Sequence, residues 1–216
     1  MLERDLRLVE ITGARYHAAH ISTAESVEII RRAKAKGLVV TCDCAPPYFL
    51  LTEDAVGEFR TFAKLSPPLR READRAAIVK GLKDGTIDCV ASDHCPQDAD
   101  SKRKTFHDAA YGGIGLETLL PATLELTRSG GLPLLDALAK VTINPARLLG
   151  LPGGRIAVGA AADFTIFDPD REWTVSAESL LSKSKNSPFD ENPMTGAVVR
   201  TVIDGRSVFV GNEVPA

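Results

Sequence analysis

Two side chains stand where a divalent cation would find part of its ligand set. His20 closes one β-prone run, 14–20, and Asp93 lies at the end of another, 86–94. A neutral imidazole and a carboxylate converging at strand ends form part of a site for a divalent cation. In parallel α/β barrels such positions face the active-site mouth. Strict alternation puts Tyr16, Ala18 and His20 on one strand face and His17 and Ala19 on the other. On that basis His17 and His20 are predicted not to serve one site. The same rule groups Ile87, Cys89, Ala91 and Asp93, with His94 turned elsewhere. Each residue also has a plainer reading, because a histidine at a strand end is commonly a hydrogen-bonded core or loop residue.

Other candidates read as structural. Cys42 and Cys44 share a strand face but lack the second downstream pair of a zinc motif, and Cys89 and Cys95 are isolated, so buried packing is predicted. No base and orienting group accompany any of them, as a nucleophilic thiol would require. The run from Tyr111 to Gly115 does not follow a strand as a dinucleotide fingerprint does. It opens a helix, so its amides are predicted to be free for an anionic or carbonyl ligand. Asn144 followed by Pro145 reads as a helix N-cap and first turn.

The elements that would position these residues repeat one pattern of helix, glycine turn and β-run. Helices are predicted over 2–12, 23–36 and 72–83, followed by Gly13, Gly37 and Gly85 and by β-runs over 14–20, 38–44 and 86–94. Ser22 and Glu25 are spaced as a capping box for the second helix. Strands alternating with helices of this length predict a parallel sheet. A long loop carrying Ser66-Pro67-Pro68-Leu69-Arg70 separates the second and third units, and loops of that length at strand ends are commonly functional. Beyond residue 115 helices are predicted at 116–128 and 133–140, then after Asn144-Pro145. From Gly153 short β-runs follow at 155–158, 163–167, 197–202 and 207–210, with turns at Asp204-Gly205 and Val210-Gly211-Asn212. The division expected is an α/β body, 1–152, and a β-rich segment, 153–216.

Composition narrows the function classes. The chain has 216 residues, 44% hydrophobic and 25% charged, enough apolar side chain for a sizeable core. Twenty-six Lys and Arg against 29 Asp and Glu give a net charge of −3, with no basic stripe for nucleic acid. The cluster Lys102-Arg103-Lys104 reads as a solvated loop. No apolar run approaches the ~20 residues of a membrane span, and the first residues form no signal peptide, so a cytoplasmic location without membrane partners is expected. An amphipathic stripe of Leu2, Leu6 and Val9 is already running at the first residues, so the chain reads as beginning inside a helix.

Taken together, the motifs resemble dihydroorotase, of the cyclic amidohydrolases within the metal-dependent amidohydrolase superfamily. The resemblance rests on His17-Ala-Ala-His20-Ile-Ser-Thr, Val40-Thr-Cys, Ser66-Pro-Pro-Leu-Arg70, the 81–88 run, and Ala91-Ser-Asp-His-Cys-Pro96. It continues through Gly115-Leu-Glu-Thr118, Asn144-Pro-Ala-Arg147, the run 162–168 and the run 182–189, and so covers essentially the whole chain. The 115–118 and 182–189 motifs favour dihydroorotase over hydantoinase or allantoinase.

The resemblance implies the last strands of a (β/α)8 TIM-type barrel with a small β-rich carboxyl-terminal domain. It implies Zn2+ as cofactor, His20 as a ligand at the sixth strand, and Asp93 at the eighth as ligand and general base. The reaction implied is hydrolysis of the cyclic amide of dihydroorotate to N-carbamoyl-aspartate in pyrimidine biosynthesis. Ser66, Gln97, Tyr111 and Gly112 match substrate-contacting positions. Here Ser66 stands where the family has Asn, Gln97 where it has His, and Pro46-Pro47-Tyr48 where it has Pro-His-His. The family's His-x-His pair, bridging carboxylate and fifth-strand His have no counterpart in the sequence. Three readings follow: the carboxyl-terminal half of a dihydroorotase-like enzyme, a noncatalytic relative that scaffolds a transcarbamoylase, or an amidase acting on another ring. A homodimer is also an expected assembly.

Overall fold

The computed structural model describes residues 1–129 and 131–211. Three βα-type units open the chain: α1 (Leu2–Thr12) leads to β1 (Tyr16–Ala18), α2 (Ala24–Ala35) to β2 (Val40–Cys44), and α4 (Glu72–Lys83) to β3 (Cys89–Val90), with the short α3 (Pro46–Leu50) before α4. The strands form a parallel sheet in the order β1-β2-β3, with His17 beside Thr41 and Asp43 beside Cys89. Gly13, Gly37 and Gly85 carry positive φ values of 68°, 80° and 80°, as the turns after the helices require. The strands are shorter than the apolar runs that announce them, because the chain leaves the ladder at Ala19 and again at Ala91.

The core sits between sheet and helices. Val27, Ile30, Ile78, Leu82 and Ile87 are fully or almost fully buried there, with Val40, Cys42, Cys44 and Phe49 against them. Cys42, Cys44 and Cys89 are buried free thiols, and Cys95 is partly buried, which matches their reading as packing residues. Burial pushes the Cys42 thiol up to about 12 and the Cys89 thiol up to about 11, so neither is a thiolate at neutral pH. Lys34 on α2 clamps Asp88 at 2.7 and 2.8 Å, and Asp88 also accepts from the Cys42 amide at 2.8 Å. That carboxylate ties helix to two strands.

Two helix starts differ from expectation. Thr23, not Ser22, caps α2 by accepting from the Ser26 amide, because the Ser22 hydroxyl is occupied by Arg70 of the 66–70 loop. In α8 (Ile143–Leu149) Thr142 precedes the helix and Asn144 lies within it, donating to the Asp88 carbonyl at 2.9 Å. A tertiary acceptor has taken the amide that local spacing assigned to capping.

The helices α5 (Ala99–Lys102), α6 (Leu119–Arg128) and α7 (Leu134–Ala139) complete the helical part. An antiparallel sheet follows, ordered β4 (Phe164–Thr174), β5 (Pro193–Ile203), β6 (Arg206–Val210). Asp204 and Gly205, at φ 48° and 73°, form the two-residue turn between the paired Ile203 and Arg206. The 155–158 run is not a strand: Ile156 and Val158 are fully exposed and no neighbouring strand supplies a ladder. Asn212 of the last expected turn lies outside the described residues. Among those described, no helix is long and apolar enough to cross a membrane.

Candidate active site

His20 and Asp93 do converge. His20 Nε2 lies 3.7 Å from Asp93 Oδ1, beyond hydrogen-bond range but close to the spacing of two ligands that each reach about 2 Å to one ion. Neither residue sits in a regular strand. His20 has φ 53° and Asp93 φ 46°, left-handed conformations that side chains other than glycine seldom adopt. Both turns come just after the strand ends and aim the two side chains at each other.

The turn at His20 also overturns the alternation rule for His17. Both histidines meet one carboxylate, Asp43, which is 7% exposed on β2. His17 Nε2 is 2.8 Å from Asp43 Oδ2, while Asp43 Oδ1 accepts the His20 backbone amide at 2.8 Å and lies 3.0 Å from His20 Nδ1. His17 Nδ1 is in turn 2.8 Å from the Thr41 hydroxyl. His20 Nδ1 is buried and makes no well-aligned hydrogen bond despite that short distance. Sequence reading missed Asp43. The signal was present, since an acidic residue between two cysteines in an apolar strand must be paired to be buried at all.

The electrostatics follow from this arrangement. Burial pushes Asp43 up, but the hydrogen bonds from His20 and His17 outweigh it and hold the carboxyl below its usual range. The Asp43 carboxylate, 3.0 Å from its ring, raises His20 against the opposing effect of burial. Asp93 is raised by burial, with His20 pulling the other way and Asp43 adding repulsion. The two acids of this cluster thus have pKa values moved in opposite directions, Asp43 the stronger acid and Asp93 the weaker.

The remaining predicted residues are placed around this pair rather than on it. Ser66 is exposed in the 66–70 loop. That loop is tied down by Tyr48, whose hydroxyl donates to the Pro67 carbonyl at 2.9 Å, and by Arg70 on Ser22. Gln97 lines an open cleft of about 1010 Å³ with Phe59, Lys102 and Asn186; neither His20 nor Asp93 lines it. Its side chain donates to Cys95 Sγ at 3.2 Å. Tyr111 is exposed, with Lys64 Nζ 4.5 Å from its ring centre. Gly112, at φ 109°, packs where a Cβ would lie 2.7 Å from Cys95 Sγ.

Two further expectations are corrected here. Three amides of the glycine run are already engaged: Gly112 donates to the Lys64 carbonyl, Ile114 to the Asn186 carbonyl, and Gly115 to His94 Nδ1. The helix begins only at Leu119. Lys102 is not solvated but 3% exposed, its ammonium donating to the Ala110 carbonyl at 2.9 Å. Lys64 donates to the carbonyls of His107 and Ala109. Two buried ammonium groups thus hold the loop that leads to Tyr111 and Gly112.

The parallel sheet presents a histidine and a carboxylate just beyond its strand ends, the end at which α/β barrels carry their active-site residues. The amidohydrolase family profile matches residues 3–208, and the chain belongs to that family. Within it the sequence is similar to dihydroorotases. It is 49% identical to that of Anaplasma phagocytophilum, over 97% of this chain and 47% of the relative. It is 52% identical to that of Geotalea daltonii, over 95% and 48%. The fold superposes on L-hydantoinase (dihydropyrimidinase) from Arthrobacter aurescens with TM-score 0.92 and 33% identity, covering all of this chain and 49% of the other. The chain spans about half the length of the relatives it matches. Among its described residues, no group of three or more His, Cys, Asp or Glu could hold a metal ion.

Proposed function

We propose that the chain supplies the last βα units of a dihydroorotase, a cyclic amidohydrolase that opens the dihydroorotate ring to N-carbamoyl-aspartate in the cytoplasm. Residues 1–152 form part of a (β/α)8 barrel, and residues 153–216 belong to the composite β domain beside it. The approach of His20 to Asp93, at 3.7 Å with Asp43 behind the imidazole, carries this reading. The high identity to dihydroorotases selects the ring.

His20 Nε2 and Asp93 suit a borderline divalent ion such as Zn2+, for which an imidazole and a carboxylate are both good ligands. A catalytic zinc site takes three protein ligands, and this chain brings two of them. When bound, the ion polarises the amide carbonyl and supplies a nucleophilic water at neutral pH. Asp93 would take a proton from the attacking water and deliver it to the departing ring nitrogen. Ser66 and Gln97 offer a hydroxyl and an amide to the ring and its carboxylate, and the stretch with Tyr111 and Gly112 contacts the substrate.

The test is turnover of dihydroorotate by the chain complemented with the other half of a dihydroorotase barrel, loaded with Zn2+. Ring opening that disappears in Asp93→Asn supports the reading. Turnover of hydantoin or allantoin instead would move the chain to another ring. A folded, metal-loaded complex that turns over no ring yet binds a transcarbamoylase would make it a scaffold.

A further inference from the structure

We infer that Asp43 and His17 are positioning residues that lock His20 in a single tautomer, with the Nε2 lone pair directed at the metal position. The inference rests on the reading of His20 as a metal ligand, and it is argued from hydrogen-bond geometry. An ionised carboxylate only accepts. Asp43 Oδ1 already takes the His20 backbone amide, so a ring nitrogen 3.0 Å from the same oxygen must carry its proton. His20 is therefore the Nδ1–H tautomer, and its bare nitrogen is Nε2, the one facing Asp93.

His17 is fixed in the opposite sense. Its Nε2 faces Asp43 Oδ2 at 2.8 Å and must hold the proton, so Nδ1 accepts from the Thr41 hydroxyl at 2.8 Å. Thr41, His17 and Asp43 are thus hydrogen-bonded in sequence, and His20 Nδ1 stands 3.0 Å from the end of that chain without an aligned hydrogen bond. Asp43 also explains why His20 tolerates φ 53°, since it holds the backbone amide. Parallel pairing of His17 with Thr41 brings His17 over the strand that carries Asp43, so the relay is built into the β1–β2 register. A carboxylate behind a ligating imidazole orients the ring and raises its basicity, and its loss commonly weakens metal binding by about 10- to 100-fold.

The experiment is long-range 1H–15N NMR of the 4 histidine rings of the 15N-labelled chain, complemented with the unlabelled other half of a dihydroorotase barrel, with Zn2+ titrated in. We expect His20 as Nδ1–H, His17 as Nε2–H, and Zn2+ shifting the Nε2 resonance of His20. Thr41→Val should release His17 into a tautomer mixture while His20 stays fixed. Asp43→Asn should free His20 and weaken Zn2+ binding at least about 10-fold. If Asp43→Asn does not fold, the wild-type tautomers and Thr41→Val still decide. His20 found as Nε2–H, or an Asp43→Asn protein with unchanged tautomer and affinity, overturns the relay. Zn2+ that leaves His20 Nε2 unmoved in the wild type overturns instead the ligand reading on which the relay rests.

Discussion

Replacing Lys102 by Met should make the chain's stability depend on pH in a new way. Lys102 is 3% exposed, and burial, reinforced by the nearby Lys64, lowers its pKa to about 8 from 10.5. Below about pH 8 both folded and unfolded chains hold the proton, and the folded state bears the full cost of the buried ammonium. Between about 8 and 10.5 the folded lysine is neutral while the unfolded one is still charged, so this group makes stability rise with pH. At 1.36 kcal/mol per pKa unit the total is roughly 3 kcal/mol. Methionine removes that cost but leaves the Ala110 carbonyl without its donor, a loss of about 1–3 kcal/mol. Lys102→Met is therefore expected to be neutral or up to about 2 kcal/mol more stable at pH 7, and about 1–3 kcal/mol less stable at pH 10, where the neutral amine still donates. Urea unfolding across this range, with reductant present, measures it. The raised thiols of Cys42 and Cys89 oppose the trend, since the unfolded chain ionises them first, but they are common to both proteins and cancel in the difference. Parallel pH profiles for wild type and variant would refute the argument.

Other outcomes follow from the same structure. Asp88→Ala leaves the Cys42 amide without its acceptor and the Lys34 ammonium with carbonyl partners only, and should cost about 1–3 kcal/mol in urea unfolding; in a Lys34→Met background the loss should shrink. Gly115→Ala would put a Cβ 2.1 Å from the Ser92 carbonyl oxygen and force apart the segment that carries Asp93. It should lower the melting temperature and weaken Zn2+ binding together, and an unchanged melting curve would contradict it. In the complemented enzyme Asp93→Asn should reduce turnover by about 10²–10⁴. Ser66→Asn with Gln97→His should lower the KM for dihydroorotate if these positions touch the substrate, and an unchanged KM removes them from the site. Among described residues β1 and β3 each pair on one side only, beside a groove of about 680 Å³ lined by Val39, Cys89, Leu148 and Leu149. Sedimentation velocity should show the isolated chain self-associating, and a clean monomer would count against an open edge.

The sequence by itself determined the periodic elements: α1 and α4 fall on their expected residues, and the Asp204-Gly205 hairpin turn lies where its dipeptide puts it. These depend on contacts within a few residues, which spacing records directly. It also determined that His20 and Asp93 stand at strand ends. Where local rules competed with distant partners they failed. Arg70 took the Ser22 hydroxyl, the Asp88 carbonyl took the Asn144 amide, and the Lys64 and Asn186 carbonyls took the glycine-run amides. The largest such failure concerns His17. Alternation holds only while the chain remains in the ladder, and a left-handed residue at position 20 ends it. Only the tertiary structure decided that two histidines three residues apart share the carboxylate of a neighbouring strand. The reason is that Asp43, buried between cysteines, must collect donors from whatever the parallel register sets beside it.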